Sequence, residues 1–387
     1  MDIQDFMSAI TELGGDFFTG VPDSLLAPFC DHIVDTYNIS DKHVVAANEG
    51  AAVGLAAGYY LATSKPAVVY MQNSGLGNAV NPICSLLKLY DIPVIFVIGW
   101  RGEPGIPDEP QHVFQGEITL SLLNCLDIPY TVIEKETAND KFTNDVDAFK
   151  NYLELGKTIA FVVKKSALKN EKELDYSMLS PTSKAAMSRE EILKIILQSA
   201  NSQDVFVCTT GKLSREVFEI REQEGKGHKQ DFLTVGSMGH SLMIAYGIAL
   251  SQPNRTVFCL DGDGAAIMHL GSLAVVGAHK PKNLIHAVIN NGAHETVGGM
   301  PVVSAQLNLS HGAQALGYRH AFRIKTAEEL QQAINQLANL QGPIFIEAMS
   351  NLKSRKDLGR PTTTPLDNKA ELMNYLTAAS NDFAKPF

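Results

Sequence analysis

The chain has 387 residues, 45% of them hydrophobic and 19% charged, more than one ordinary core can absorb, so two packed domains are expected. Lysine and arginine number 32 against 42 aspartates and glutamates, a net charge of −10; this speaks against a nucleic-acid partner and requires any anionic ligand to be met by a local basic site. No apolar stretch approaches the ~20 residues of a membrane span, so no membrane partner is expected. The opening MDIQDFMSAITELGGDFF lacks a basic segment followed by an apolar run, which points to the cytoplasm rather than export. Cys30, Cys84, Cys125, Cys208 and Cys259 are scattered in apolar contexts with no Cys-x-x-Cys pair, and are read as buried free thiols.

In chain order, Asp5–Leu13 reads as a helix and Gly50–Ala62 as a helix rich in small residues. Ala67–Met71, Pro93–Ile98, Tyr130–Ile133 and Ile159–Val163 have strand character. These are continuous apolar runs, the pattern of a parallel sheet covered on both faces. Ser166–Met187 is polar, carries a Ser-Pro, and reads as a linker between domains at 1–165 and 188–387. Ser188-Arg189-Glu190-Glu191 is a capping box before an amphipathic helix. Strands follow at Val205–Cys208, Val257–Leu260, Ile285–Ile289 and Ile344–Ala348, and a second capping box spans Thr326–Glu329. No heptads or short-period repeats appear. The expected fold class is α/β, with two doubly wound parallel-sheet domains of similar size.

The chemistry is signalled where two strands end. TVFCL runs into Asp261-Gly262-Asp263-Gly264, and LIHAVI runs into Asn290-Asn291-Gly292-Ala293. Ligands in open α/β sheets bind outside the carboxyl ends of strands. Asp263 offers a carboxylate, Asn291 an amide oxygen and Ala293 a backbone carbonyl, a hard oxygen set suited to Mg²⁺ carrying a diphosphate. Gly262 and Gly264 let the backbone approach phosphates closely. Alone, either motif is an ordinary turn; together at strand ends they read as a metal–diphosphate site.

Gly262-Asp263-Gly264 with Asn290-Asn291 resembles the cofactor motif of the thiamine-diphosphate enzymes. The resemblance implies two domains of one topology, one for the aminopyrimidine and one for the diphosphate, with Mg²⁺. This sequence is similar to a minimal version with the pyrimidine domain first and no third domain between. The glutamate that the family needs is matched by Glu49, in VVAANEGAAVGLAAGYYLAT. An apolar, small-residue setting raises the cost of its charge, so its carboxyl suits a hydrogen bond to the pyrimidine ring. The resemblance also places Asn73, Thr210, Gly211 and Ala265 against the cofactor, and Gly236 and Ser237 beside the pyrimidine. Met238 is either the apolar prop that bends the cofactor or a plain core methionine. The implied reaction is non-oxidative decarboxylation of a small anionic 2-oxo acid through the cofactor's ylid, in a homodimer or larger homo-oligomer with sites between chains.

Phe17–Leu26, Gln72–Asn78, Thr209–Glu216 and Asp357–Pro365 further resemble the family's phosphonopyruvate decarboxylases, with the sulfopyruvate decarboxylases a near alternative. Both substrates carry a second anionic head, for which Lys212 and Arg101 are the candidates. Arg101 reads equally as a solvated loop arginine, and Arg215 is expected to pair with a carboxylate. Lys353, Arg355, Lys356 and Arg360 form a basic run that is either a solvated face or a mobile cover. His112 matches a histidine that delivers a proton in some relatives. Asp23 and Ser24 match a polar turn over the substrate, although both types also cap helices well. His294 and Glu295 depart from the family's usual pattern after the metal loop. A carboligase is the catalytic rival, and a binding module that has lost its chemistry is the non-catalytic one.

Overall fold

The computed structural model describes residues 1–170, 174, 176 and 185–378. The chain forms two compact units divided between residues 175 and 176. Most of the linker predicted over Ser166–Met187 lies outside the described residues. Its first part belongs to the structure of the first unit: Lys169 O accepts from Ile3 N at 2.9 Å, and Lys169 N donates to Met1 O at 3.1 Å. No helix among the described residues is long and apolar enough to cross a membrane.

The first unit begins with α1 (Ile3–Glu12), then β1 (Phe18–Gly20), α2 (Ala27–Tyr37), β2 (His43–Val45), α3 (Glu49–Thr63) and β3 (Ala67–Gln72). It continues with α4 (Leu76–Pro82), β4 (Val94–Gly99), α5 (Pro110–Cys125), β5 (Tyr130–Ile133), α6 (Asn139–Glu154) and β6 (Ile159–Val163). Its sheet has the order β2-β1-β3-β4-β6-β5, and the paired strands run parallel. β4 and β6 are buried along their whole length, which is why their sequences show no polar alternation. β1 and β2, three residues each, are too short to register as a pattern. Phe6 of α1 packs on Phe29 and Phe161 with ring centroids 6.1 and 5.1 Å apart; truncating such a ring to alanine costs ~3–5 kcal/mol.

The second unit has α7 (Arg189–Gln198), β7 (Val205–Cys208), α8 (Lys212–Glu224), β8 (Asp231–Leu233), α9 (Ser241–Ser251), β9 (Val257–Gly262) and α10 (Asp263–Met268). Then come α11 (Gly271–His279), β10 (Leu284–Asn290), the small pair β11 (Ala293–His294) and β12 (Met300–Pro301), and α12 (Leu309–Ala315). The unit closes with β13 (His320–Ile324), α13 (Ala327–Leu337), β14 (Ile344–Met349) and α14 (Pro365–Ala378). The sheet order is β13-β14-β10-β9-β7-β8, again parallel. One face is a core built on Phe206, Phe258, Leu260, Ile285 and Ile346. Period 2 sends Cys259, Asp261 and His286 to the other face.

The Ser188 capping box forms as expected. The Thr326 box is only half made, because Glu329 turns its carboxylate to Lys325 N at 2.7 Å. Cys30, Cys208 and Cys259 are buried, but Cys84 and Cys125 are exposed, against expectation. Their helical neighbours Ile83 and Leu123 take the buried positions instead.

Candidate active site

In the first unit the polar residues gather where β1, β3 and β4 end. Glu49 is the first residue of α3, whose N-cap Asn48 accepts from Ala51 N. It is 5% exposed, and its Oε2 accepts from Asn78 Nδ2 at 2.7 Å. A Cβ on Gly75 would lie 2.5 Å from Glu49 Oε1, so the carboxylate has its place only because residue 75 has no side chain. Asp23 is buried, and accepts from Gln72 Nε2 at 2.8 Å and from Leu25 N at 3.2 Å. Burial pushes its pKa up. The capping reading of Asp23 is thus realised, and Gln72, which the sequence does not single out, orients it.

Ser24 is exposed, and its hydroxyl accepts from Arg101 Nη1 at 3.3 Å. Arg101 forks onto Asp108, Nε to Oδ2 at 2.8 Å and Nη2 to Oδ1 at 2.5 Å. The guanidinium holds the Asp108 carboxyl well below the usual carboxylate range. Arg101, read either as an anion ligand or as a solvated loop arginine, is here paired with Asp108. Asn73 is held by its neighbours. Its Nδ2 donates to Arg101 O and Thr119 Oγ1, both at 2.8 Å, and its Oδ1 accepts from Arg101 N at 3.1 Å. Only 2% exposed, its side chain braces the loop after β4. His112, in the first turn of α5, is buried, and its Nδ1 has no hydrogen-bond partner. Burial, then the charge of Arg101, lowers its pKa, so the imidazole is neutral near pH 7. Gln111 beside it also carries an unpartnered buried oxygen.

In the second unit the two motifs meet because β9 and β10 are neighbours in register, with Ile289 opposite Gly262. Asp263 is buried at the start of α10. Its Oδ2 accepts from Gly292 N at 2.9 Å and Ser304 Oγ at 2.5 Å. Burial pushes its pKa up to about 6, and no cation pairs with it among the described residues. A buried carboxylate without a countercharge is what a metal ion completes. Asn291 Oδ1 accepts from Ala293 N at 3.1 Å, with Gly292 between them at φ +67°. Asp263 is thus hydrogen-bonded to the turn that carries Asn291 and Ala293, and a carboxylate, an amide oxygen and a backbone carbonyl are a donor set whose chemistry fits Mg²⁺. Gly264 lies beneath His294 and Met238, which a Cβ would meet at 3.3 and 3.4 Å. Ala265 is buried behind it. Burial lowers the His294 pKa to about 4.

Gly211 follows β7 at φ +93° with Thr296 against it, and Thr210 donates to Val235 O at 2.7 Å. That bond ties the β7 end to the turn carrying Gly236, Ser237 and Met238. Lys212 donates to Glu295 Oε1 at 3.1 Å and Ser354 Oγ at 2.7 Å, so it too is paired. Glu295 also meets Arg189 at 2.5 Å, and Arg189 forks onto the buried Glu216 at 2.7 Å twice. The partner expected for Arg215 is absent among the described residues, because Arg355 takes its helical neighbour Glu219. Arg355 also binds Glu190 at 2.8 Å, pinning the basic segment onto α7 and α8, while Lys353, Lys356 and Arg360 face outward. Near the Asp263 end of β9, His286 Nε2 lies 3.3 Å from Asp261 Oδ2, and Asp261 Oδ1 accepts from Gly262 N at 2.9 Å. Ser304 and His286 carry no sequence signal, and Arg189 and Glu216 fall only within the capping box and the Thr209–Glu216 stretch, with nothing to mark their place here. They reach the site only through the strand order.

Two family models match the chain. The N-terminal TPP binding domain of thiamine pyrophosphate enzymes covers residues 3–123, and the C-terminal TPP binding domain covers 209–348. The chain is 32% identical to a phosphonopyruvate decarboxylase of Streptomyces viridochromogenes, over 99% of this chain and 96% of that protein. It is 32% identical to one of Streptomyces hygroscopicus, over 96% and 93%. It is 27% identical to a sulfopyruvate decarboxylase of Methanosarcina acetivorans, over 86% and 88%. The chain belongs to the thiamine-diphosphate-dependent decarboxylases of the thiamine pyrophosphate enzyme family.

Proposed function

We propose that this chain converts phosphonopyruvate and a proton into phosphonoacetaldehyde and CO₂, with thiamine diphosphate and Mg²⁺ as cofactors. The observation that carries the substrate is the likeness to the two Streptomyces enzymes, which runs through both halves and nearly end to end. When bound, thiamine diphosphate supplies the carbon nucleophile and electron sink that let a 2-oxo acid lose CO₂. The chain's own residues then have defined tasks. Asp263, Asn291 and the Ala293 carbonyl would hold Mg²⁺, and Gly262, Gly264 and Ala265 would admit the diphosphate. Thr210, Gly211, Gly236, Ser237 and Met238 would line the rest of the cofactor. Glu49, kept in place by Asn78, would hydrogen-bond the aminopyrimidine. His112, with an open nitrogen, is assigned to moving the proton that replaces CO₂, and Ser24 and Asp23 to orienting the substrate.

The same reading has the chain working in the cytoplasm as a homodimer or larger, with each cofactor drawing its pyrimidine contacts and its metal from different chains. The outer side of α3 supports the assembly: Leu55 and Leu61 are exposed there, and Gly54 and Gly58 have open space around them, a surface suited to close helix packing. Sulfopyruvate is the second reading, because a sulfopyruvate decarboxylase also aligns through both halves. The test is CO₂ release by the purified protein with both cofactors, on phosphonopyruvate, sulfopyruvate and pyruvate in parallel. Phosphonopyruvate should give the highest kcat/KM. Equal efficiency on pyruvate rejects the substrate, and a preference for sulfopyruvate selects the second reading.

A further inference from the structure

A cleft of about 470 Å³ opens in the first unit beside Ser24 and Arg101. Its rim comes from the segments that follow β1, β4, β5 and β6, the carboxyl edge where open α/β sheets take ligands. Its two carboxylates are already matched: Asp108 by Arg101, and Glu103 by Lys164 at 2.9 Å. Lys135, Lys165 and Lys169 also line the cleft. All three are exposed, and none has a carboxylate partner among the described residues. Among the described residues, a chain of net charge −10 thus gathers three cations without a carboxylate partner on one concave surface. The wall between them includes Trp100, Ile106 and Leu168, and low-dielectric walls concentrate the field of such charges. The Ser24 hydroxyl accepts from Arg101, which leaves its own proton free to donate outward.

We propose that this cleft is an anion site for the phosphonate head of the substrate, read by Lys135, Lys165 and Lys169. A single carboxylate is a poor match for three unpaired cations, whereas a phosphonate dianion supplies two charges and three acceptor oxygens. The proposal rests on the substrate reading above, and it moves head-group recognition away from Arg101 and Lys212, whose charges are already matched.

The test uses the full chain with thiamine diphosphate and Mg²⁺. Methylphosphonate binding is followed by titration calorimetry in the wild type, in the triple variant K135M/K165M/K169M and in K165M alone. All three side chains are exposed, and a thermal melt checks that the variants fold. Methylphosphonate should compete with phosphonopyruvate. The triple variant should bind it about tenfold more weakly or worse, raise the KM for phosphonopyruvate by a similar factor, and leave kcat and the KM for pyruvate alone. K165M should fall between. Unchanged affinity and KM in the triple variant overturn the site, even where phosphonopyruvate is turned over well. Binding that does not compete with substrate also overturns it, because the ligand is then a free phosphate-type anion. A wild type that binds methylphosphonate through these lysines yet does not turn over phosphonopyruvate leaves the site standing and sinks the substrate reading.

Discussion

Asn291 donates from Nδ2 to Glu295 Oε2 at 3.1 Å, and the same oxygen accepts from Arg189 at 2.5 Å. A side-chain amide has one donor end and one acceptor end. Once the nitrogen is held by Glu295, the oxygen must face the other way, into the turn that carries Ala293 and is hydrogen-bonded to Asp263. Glu295 therefore sets which atom Asn291 turns toward the proposed metal position. Partners behind metal ligands are typically worth 10–100-fold in affinity. E295Q should weaken Mn²⁺ binding in the presence of thiamine diphosphate by about that factor, read by the free-metal resonance signal. Wild-type metal affinity in E295Q would remove Glu295 from this role.

Gly75 and Glu49 make a second test. The missing Cβ leaves the space that the Glu49 carboxylate fills. G75A should push that carboxylate aside at a stability cost of ~1–3 kcal/mol, and lower kcat by on the order of 100-fold through misplacement. Metal affinity in the second unit should stay as it was. G312A is the control: Gly312 sits inside α12 with open space around it, and alanine there should stabilise by ~0.5–1 kcal/mol. Full activity in G75A would show that the position of Glu49 does not matter.

The buried histidines set a pH dependence. Burial lowers the His112 pKa and takes that of His294 from 6.5 to about 4. In the unfolded chain both groups titrate near 6.5, so below that pH the unfolded state binds more protons than the folded state. These two imidazoles therefore make stability fall as pH drops from 6.5 toward 4, against the opposite slope of Asp263, whose pKa is raised to about 6. Denaturant melts at pH 7, 5.5 and 4.5 compare the wild type with H112N and H294N, each of which should lose part of the stabilisation gained with rising pH. Parallel slopes in all three proteins would mean that neither imidazole is held neutral by the fold.

Sharing of sites between chains is tested by mixing. E49Q and D263A are each expected to be inactive. If a cofactor takes its pyrimidine contacts and its metal from different chains, a hybrid dimer has one doubly damaged site and one intact site. Activity should then reappear after subunit exchange. A mixture that stays inactive while native mass spectrometry shows hybrids would exclude sites built between chains.

The sequence by itself determined the elements with long, locally consistent signals. The continuous apolar runs of β3, β4, β6, β9, β10 and β14 declare a parallel sheet because both faces are covered, and the Ser188 box declares α7 because its hydrogen bonds are local. Asp263 and Asn291 were legible because each closes its own strand. Tertiary structure decided the rest. β1, β2 and β8 exist because neighbouring strands pair with them, and three residues carry too little pattern of their own. Arg101 and Lys212 read as open cations in sequence, since nothing local reveals that Asp108 and Glu295 neutralise them. Ser304 reaches Asp263, and Arg189 reaches Glu295, across separations of 41 and 106 residues. Such contacts are set by strand order, and strand order is a property of the packed sheet rather than of any segment within it.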